Sequence, residues 1–335
     1  MLFLGIDIGG TGIKAALVDR QGNIVAHRET PTRAFEGATA VLDRVEETAQ
    51  FLLRQADRPV VMCGVGSAGR IDHRRGVVIF ASENLPGWTG TPLGPELSRR
   101  LALPVVVDND VNAAALAEGW IGSARGTADY LMLTIGTGVG GAMVIGGKLW
   151  RGARWGAGEV GHMALYPHGL ACPCGGTGCA EQYVSAKALT RQANQAAERE
   201  KQRVEPFRGI RDVLGAAQRG PSARREAARR GVERFTGDLA LFLVNLQNVY
   251  DPQIIVIGGG IVRLGYWWER LMEAVNRECR ARSLTVRLKR AHCGPRAGVV
   301  GAARLAMLAL EHQKRTARRR PSSEQPPSLP AVEPG

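Results

Sequence analysis

Aromatic residues are scarce in this chain, at 5% of 335 residues, and cysteine is rarer, with six in all. No apolar run approaches the roughly 20 residues that a membrane-crossing helix needs. The start, Met1-Leu2-Phe3-Leu4-Gly5, carries no charged leader, and its apolar stretch breaks at Asp7 and the glycines beyond. A signal peptide is therefore not expected. Acidic residues are short against basic ones, 31 to 44, which leaves a formal charge of +13. Such a surplus raises nucleic acid as a partner. No recognition helix, aromatic stacking platform or finger module goes with it, however. The arginines gather in helical stretches, Arg224-Arg225 and Arg229-Arg230, and in the tail, Lys314-Arg315 and Arg318-Arg319-Arg320. The surplus reads as a solvated basic face that can also attract phosphates, and neither nucleic acid nor a membrane is expected as a partner.

The cysteines are unevenly placed. Cys63, Cys279 and Cys293 are scattered, whereas Cys172, Cys174 and Cys179 share one short glycine-rich loop with His162 a little upstream. That distribution argues for a metal site in a reducing cytoplasm and against a disulfide framework. Three thiolates and an imidazole suit a tetrahedral ion, and a Cys₃His set is one of the standard structural zinc sites. The glycines let a tight loop turn all three sulfurs toward one point. A redox pair or buried free thiols are the bland alternative.

At this length, with an apolar fraction of 44%, the chain can fill two cores. Leu2 to Ile8 reads as a buried strand ending in Gly9-Gly10-Thr11-Gly12, and Ile13 to Val18 as a second strand holding Lys14. A hairpin of this kind leaves backbone N–H groups at its turn that can cradle phosphate. Asp7 beside it is placed to act through Mg²⁺ by way of water. No Gly-Lys-Ser/Thr closes the loop and no helix follows, so it is not a Walker A motif. A plain glycine hairpin with a solvated aspartate is an equal reading. The pattern recurs as Tyr130 to Ile135 with Thr134, then Gly136-Thr137-Gly138-Val139-Gly140-Gly141, then Ala142 to Ile145. These glycines formally fit the dinucleotide fingerprint, but a strand follows where that fingerprint needs a helix. Two strand–glycine–strand units suggest a duplicated nucleotide clamp.

Between them, Leu103 to Asp110 is an apolar strand ending in polar residues, with an alanine-rich helix from Val111 to Trp120. Asp110 falls where a helix N-cap would sit; held at a strand-to-helix junction, it is equally suited to accept a hydroxyl proton during phosphate transfer. Asp108 competes for that role on chemistry alone. Ser185 to Leu243 is read as mostly helical, broken near Pro206 and Gly220-Pro221. Ile254 to Ile257 forms a buried strand opening into Gly258-Gly259-Gly260, where backbone can approach a ligand closely. A last helix begins at Arg296 to Ala303, and from Lys314 the composition predicts a disordered tail.

Glu159-x-Gly161-His162 followed by Cys172-x-Cys174-Gly175-x-x-Gly178-Cys179-x-Glu181 resembles the motif of the ROK family of bacterial sugar kinases and related repressors. Asn109-Asp110-x-Asn112-Ala113-Ala114 and Asn84-Leu85-Pro86-Gly87-Trp88 extend the resemblance, which covers the chain to about Leu310. It implies an α/β, two-domain actin-like ATPase (ribonuclease H-like) fold, with an active-site cleft between the domains and a structural zinc loop. The expected domains are residues 1–116, completed by a returning helix at 299–313, and residues 117–298, with the tail at 314–335. The resemblance further implies ATP and Mg²⁺ at Asp7, Gly9, Gly10, Thr11, Gly12, Lys14, Thr134, Gly136, Thr137, Gly138, Gly140 and Gly258–Gly260. A hexose would meet Asn84, Asn109, Glu159, His162 and Glu181, with Asp110 as base, and zinc would sit on His162, Cys172, Cys174 and Cys179. A cytoplasmic homodimer or homotetramer is implied. The sugar loop leans toward glucose; N-acetylmannosamine, N-acetylglucosamine, fructose and allose stay open. Kinases of the family often carry Pro-Gly where this chain has Ala68-Gly69, a departure that bears on the pocket. Repressors of the family carry an N-terminal helix-turn-helix, for which a first strand at Leu2 leaves no room.

Overall fold

Strand β1, Leu2–Ile8, lies mid-sheet, which is why its apolar residues run on without alternation: both faces are covered. The computed structural model describes residues 1–199 and 204–319. Around β1 gather β2 (Gly12–Val18), β3 (Ile24–Pro31), β4 (Val60–Ser67) and, beyond a small hairpin of β5 (Arg70–Asp72) and β6 (Val77–Phe80), β7 (Val105–Asn109). Helices α1 (Ala38–Arg54) and α2 (Leu93–Leu101) fall between these strands in sequence. The sheet order is β3-β2-β1-β4-β7, antiparallel across β3, β2 and β1 and parallel from β1 to β4 to β7.

Helix α3 (Asp110–Trp120) leads to a second sheet of β8 (Tyr130–Ile135), β9 (Val139–Ile145), β10 (Lys148–Trp150), β11 (Ile254–Gly258) and β12 (Leu288–Arg290). Its order is β10-β9-β8-β11-β12, with antiparallel and parallel pairings in the same places as in the first sheet. The repeat read from the glycine turns is thus a repeat of whole sheets. Between β10 and β11 come α4 (Glu181–Val184), α5 (Ala186–Ala197), α6 (Ile210–Arg219) and the 29-residue α7 (Ser222–Tyr250); α8 (Trp267–Arg282) precedes β12.

The sheets stack with helices between and outside them. Val41, Val45 and Leu52 of α1 and Leu97 of α2 pack on one face of the first sheet through Ile6 and Leu17. Leu189, Val213, Phe235, Leu243 and Leu271 cover the outer face of the second, over Leu131 and Ile257. The middle layer is α3 with α9 (Ala297–Arg319), joining Phe3 and Met62 of one sheet to Met132 and Val256 of the other. A helix in such a layer is apolar nearly all round, as the alanines of α3 are.

Backbones in that layer nearly touch. A Cβ on Gly64 would lie 1.8 Å from the Ala302 carbonyl oxygen, and one on Gly301 would lie 1.6 Å from that of Ala113. Gly64→Ala is expected to lower unfolding stability by about 1–3 kcal/mol, because α9 must shift off the sheet. Gly215→Ala, at a site in α6 with open space, should raise it by roughly 0.5–1 kcal/mol. Urea titration of both variants checks the contrast; equal effects would refute the close-approach account.

One expectation is corrected here. Residues 314–319 continue α9 as helix, because the basic run Lys314-Arg315 is as compatible with a helical last turn as with a coil. Residues 320–335 of the expected tail lie outside the described residues.

Candidate active site

Gly9, Gly10 and Thr11 close the first hairpin, with the Gly9 N–H donating to the Gly12 carbonyl at 3.0 Å. The second hairpin repeats the closure, the Gly136 N–H donating to the Gly138 carbonyl at 2.9 Å. Each turn backs onto a residue expected to bind sugar. A Cβ on Gly10 would lie 3.0 Å from the Asn84 carbonyl oxygen, and one on Gly138 would lie 2.3 Å from Oε2 of Glu181. That same oxygen accepts the Val139 N–H at 2.9 Å. At the third turn Gly259 has φ +88°, and a Cβ there would meet the Ile135 carbonyl oxygen at 2.3 Å.

The turns open on one cleft with two compartments. The larger, about 1030 Å³, is lined by Asp7, Lys14 and Gly258–Gly260. The other, about 840 Å³, is lined by Gly10, Thr11, Gly136, Thr137, Gly138 and Gly140, and by Asn84, Asn109, Glu159, His162 and Glu181. Asp110, Thr134 and Gly259 line both. Gly9 and Gly12 line neither; they shape the turn.

The three polar residues at the end of β7 have separate tasks. Asn109, and not Asp110, is the N-cap of α3: its Oδ1 accepts the N–H groups of Val111 and Asn112 at 2.8 and 3.2 Å. Extended backbone at Asn109 (ψ 149°) suits the cap position, whereas Asp110 is already helical. The Asn109 Nδ2 donates to the Gly69 carbonyl at 3.0 Å. Asp108 is buried and saturated. Its Oδ1 accepts from the Asn109 N–H at 2.8 Å and Asn112 Nδ2 at 2.7 Å, and Oδ2 takes Nε and Nη2 of Arg151 at 2.7 and 2.6 Å. That leaves Asp110, half-buried at the junction of the two compartments, as the carboxylate open to a ligand.

Burial, with the charge of Asp110 next in weight, pushes the Asp7 carboxyl up to about 7. Burial also raises Asp110, the Val111 N–H opposes the rise, and Glu159 adds to it. A carboxylate lifted toward neutrality is a better proton acceptor at cellular pH than an ordinary one.

The cysteine loop hangs beside the second compartment. One ligand atom from each of His162, Cys172, Cys174 and Cys179 lies within 4.8 Å of the others. Sγ of Cys174 and Cys179 are 3.6 Å apart, and Cys172 Sγ is 3.8 Å from His162 Nδ1. Tetrahedral zinc with bonds of 2.3 Å would separate sulfurs by about 3.8 Å, so the donor set fits that ion. Gly178, at φ +72°, lets the loop pass where a Cβ would collide with the Tyr166 carbonyl, and its carbonyl accepts the Leu165 N–H at 2.8 Å. Burial pushes the Cys179 thiol up to about 12, and a bound cation would offset that and keep the thiolate.

Three features escaped the sequence reading. Trp88 is fully buried and its Nε1 donates to Ser67 Oγ at 3.0 Å, so it anchors the loop that presents Asn84. Arg151, which secures Asp108, is 43 residues from it in sequence, and no local pattern announces such a pair. Arg70 lines the second compartment directly after Gly69.

Two like sheets, each turning a glycine hairpin toward a shared cleft with a carboxylate at its centre, define an actin-like ATPase fold. Residues 3–308 match the ROK family, and the chain belongs to it. It is 36% identical over 267 residues to a glucokinase of Streptomyces coelicolor, covering 78% of this chain and 82% of that one. A ROK hexokinase from Thermus thermophilus superposes with a TM-score of 0.79 at 35% identity, over 93% of this chain and 100% of that one. A ROK family glucokinase from Streptomyces griseus, solved in complex with glucose and AMPPNP, gives 0.75 at 32% identity, over 92% and 100%.

Proposed function

We propose that the chain is a glucokinase that transfers the γ-phosphate of ATP to the C6 hydroxyl of glucose. The coarser statement, an ATP-dependent hexose kinase, rests on family membership and on glucokinase relatives at 33–36% identity. In this reading Asn84, Asn109, Glu159, His162 and Glu181 hydrogen-bond the sugar. Asp110 takes the C6 proton while the oxygen bonds to the γ-phosphorus and ADP departs. Gly10, Thr11, Lys14, Thr134 and the second glycine turn would hold the phosphates, and Gly258–Gly260 the adenosine side. Mg²⁺ accompanying ATP would be held at Asp7 and supplies charge neutralisation. Zinc on His162, Cys172, Cys174 and Cys179 would have no open position, so its contribution is to fix the loop that precedes Glu181.

The observation that carries the proposal is the position of Asp110, which lines both compartments while its neighbour Asp108 is fully engaged. Closure of two domains, 1–116 with the returning helix and 117–298, would exclude water from the transfer. We place the enzyme in the cytoplasm as a homodimer or homotetramer. No described helix is long and apolar enough to cross a membrane.

The test is coupled ADP release over glucose, mannose, fructose, allose, N-acetylglucosamine and N-acetylmannosamine. Glucose should give a kcat/KM at least about tenfold above the others, the scale at which one substituent is discriminated. A higher value on another hexose would replace glucose as the substrate. Silence on all, from folded and zinc-loaded protein, would remove the kinase reading itself.

A further inference from the structure

Glu118, near the end of α3, is fully buried, and no lysine or arginine pairs with it among the described residues. A buried carboxylate is costly unless other donors replace its water. Three backbone N–H groups do so here. Oε1 accepts from Cys293 at 2.7 Å, and Oε2 accepts from Ser123 at 2.7 Å and from His292 at 3.1 Å. The turn after α3 leaves room for the carboxylate, since a Cβ on Gly122 would lie 2.2 Å from Oε2. A second stitch runs beside it: Ser123 Oγ donates to the Arg290 carbonyl at 2.6 Å, and Lys289 Nζ donates to the Ser123 carbonyl at 3.0 Å.

The segment held in this way, 291–297, joins β12 to α9 and lines the compartment of Lys14 and Gly258–Gly260. Its N–H groups at His292 and Cys293 turn back onto Glu118. Toward the compartment it presents Ala291, Pro295 and Ala297, and Met132, Val262 and Leu264 continue that apolar lining. Such a wall suits the flat base of a nucleotide. Glu118 itself lines neither compartment. Asp110 opens the same helix, so α3 spaces it from Glu118 by about 12 Å. One rigid element therefore carries the open carboxylate at its start and secures the far compartment's wall near its end.

We propose that Glu118 is a positioning residue for the phosphoryl-donor nucleotide, acting through the backbone of His292 and Cys293. This rests on the kinase reading above. Its test compares wild type, Glu118→Gln and Ser123→Ala in steady-state kinetics, with ATP and the preferred hexose varied in turn. Glu118→Gln keeps the size of the side chain but sets an N–H where a backbone N–H needs an acceptor. It should raise the ATP KM about tenfold, the scale of one lost charge-assisted hydrogen bond, with the hexose KM and kcat within a few-fold. Ser123→Ala removes the neighbouring stitch and should raise the ATP KM about threefold, again sparing the hexose KM. A purely structural role would lower the thermal midpoint without separating the two substrates. An unchanged ATP KM in folded Glu118→Gln, or an equal rise in both KM values, overturns the assignment and leaves the kinase reading intact. If Glu118→Gln does not fold, Ser123→Ala decides on the same terms. A wild-type chain inactive on every hexose removes the kinase reading and this assignment with it.

Discussion

Asp110→Asn is expected to lower kcat by about 10³-fold, within the 10²–10⁴ range that general-base catalysis supplies. The amide keeps the shape of the carboxylate at the start of α3 but cannot take the proton. Since Asn109 supplies the helix cap, the substitution leaves the cap intact, and the thermal midpoint should not fall. The hexose KM should stay within a few-fold. There is a second, electrostatic signature. Asp7 is raised to about 7 partly by the charge of Asp110. If ionised Asp7 serves Mg·ATP, the affinity for Mg·ATP rises with pH through that region. In Asp110→Asn the repulsion is gone, Asp7 ionises more easily, and the acid limb should move to lower pH. An unmoved limb would mean that the two carboxylates do not communicate. Retained kcat would transfer the base to another group.

Stripping zinc is the second large effect. Wild-type protein should carry close to one zinc per chain by elemental analysis, and Cys172→Ser should carry far less. Catalytic efficiency on the hexose should fall about 10–100-fold, the usual consequence of losing what orients a ligand-bearing loop, with most of the change in KM. The reason is connectivity. His162 is at once in the cluster and on the wall of the second compartment, and Glu181 follows Cys179 by two residues. The Glu181 carboxylate also holds the Val139 N–H of the second glycine turn, so loosening the cluster reaches that turn as well. Metal-free protein with wild-type kinetics would show that the protein fold alone holds the loop.

Much of this site could be read from residue order because its parts are local. A strand, a glycine turn and a returning strand are contiguous, and so are three cysteines in eight residues. The doubling of the sheet was legible through its two glycine turns. What was not legible depended on distance or on a single residue's offset. Chemistry offered Asp108 and Asp110 as equals, and the difference lies in Arg151, brought across from the second sheet. The cap assignment slipped by one position because Asn and Asp cap equally well, and backbone dihedrals decide between them. Arg70 carried no pattern at all, since only the fold brings it to the wall of the second compartment.

The middle layer also constrains how the molecule is made. Phe3, Ala16 and Met62 leave the ribosome long before their cover, Val299, Val300 and Ala303 of α9. At ordinary translation rates of 5–20 residues per second, Phe3 waits roughly 15–60 s for its lid. The Gly5 and Gly64 backbones, too close to α9 for any side chain, leave little for another apolar segment to grip meanwhile. The sheet that is translated first therefore stays open on one face until the last described helix is made.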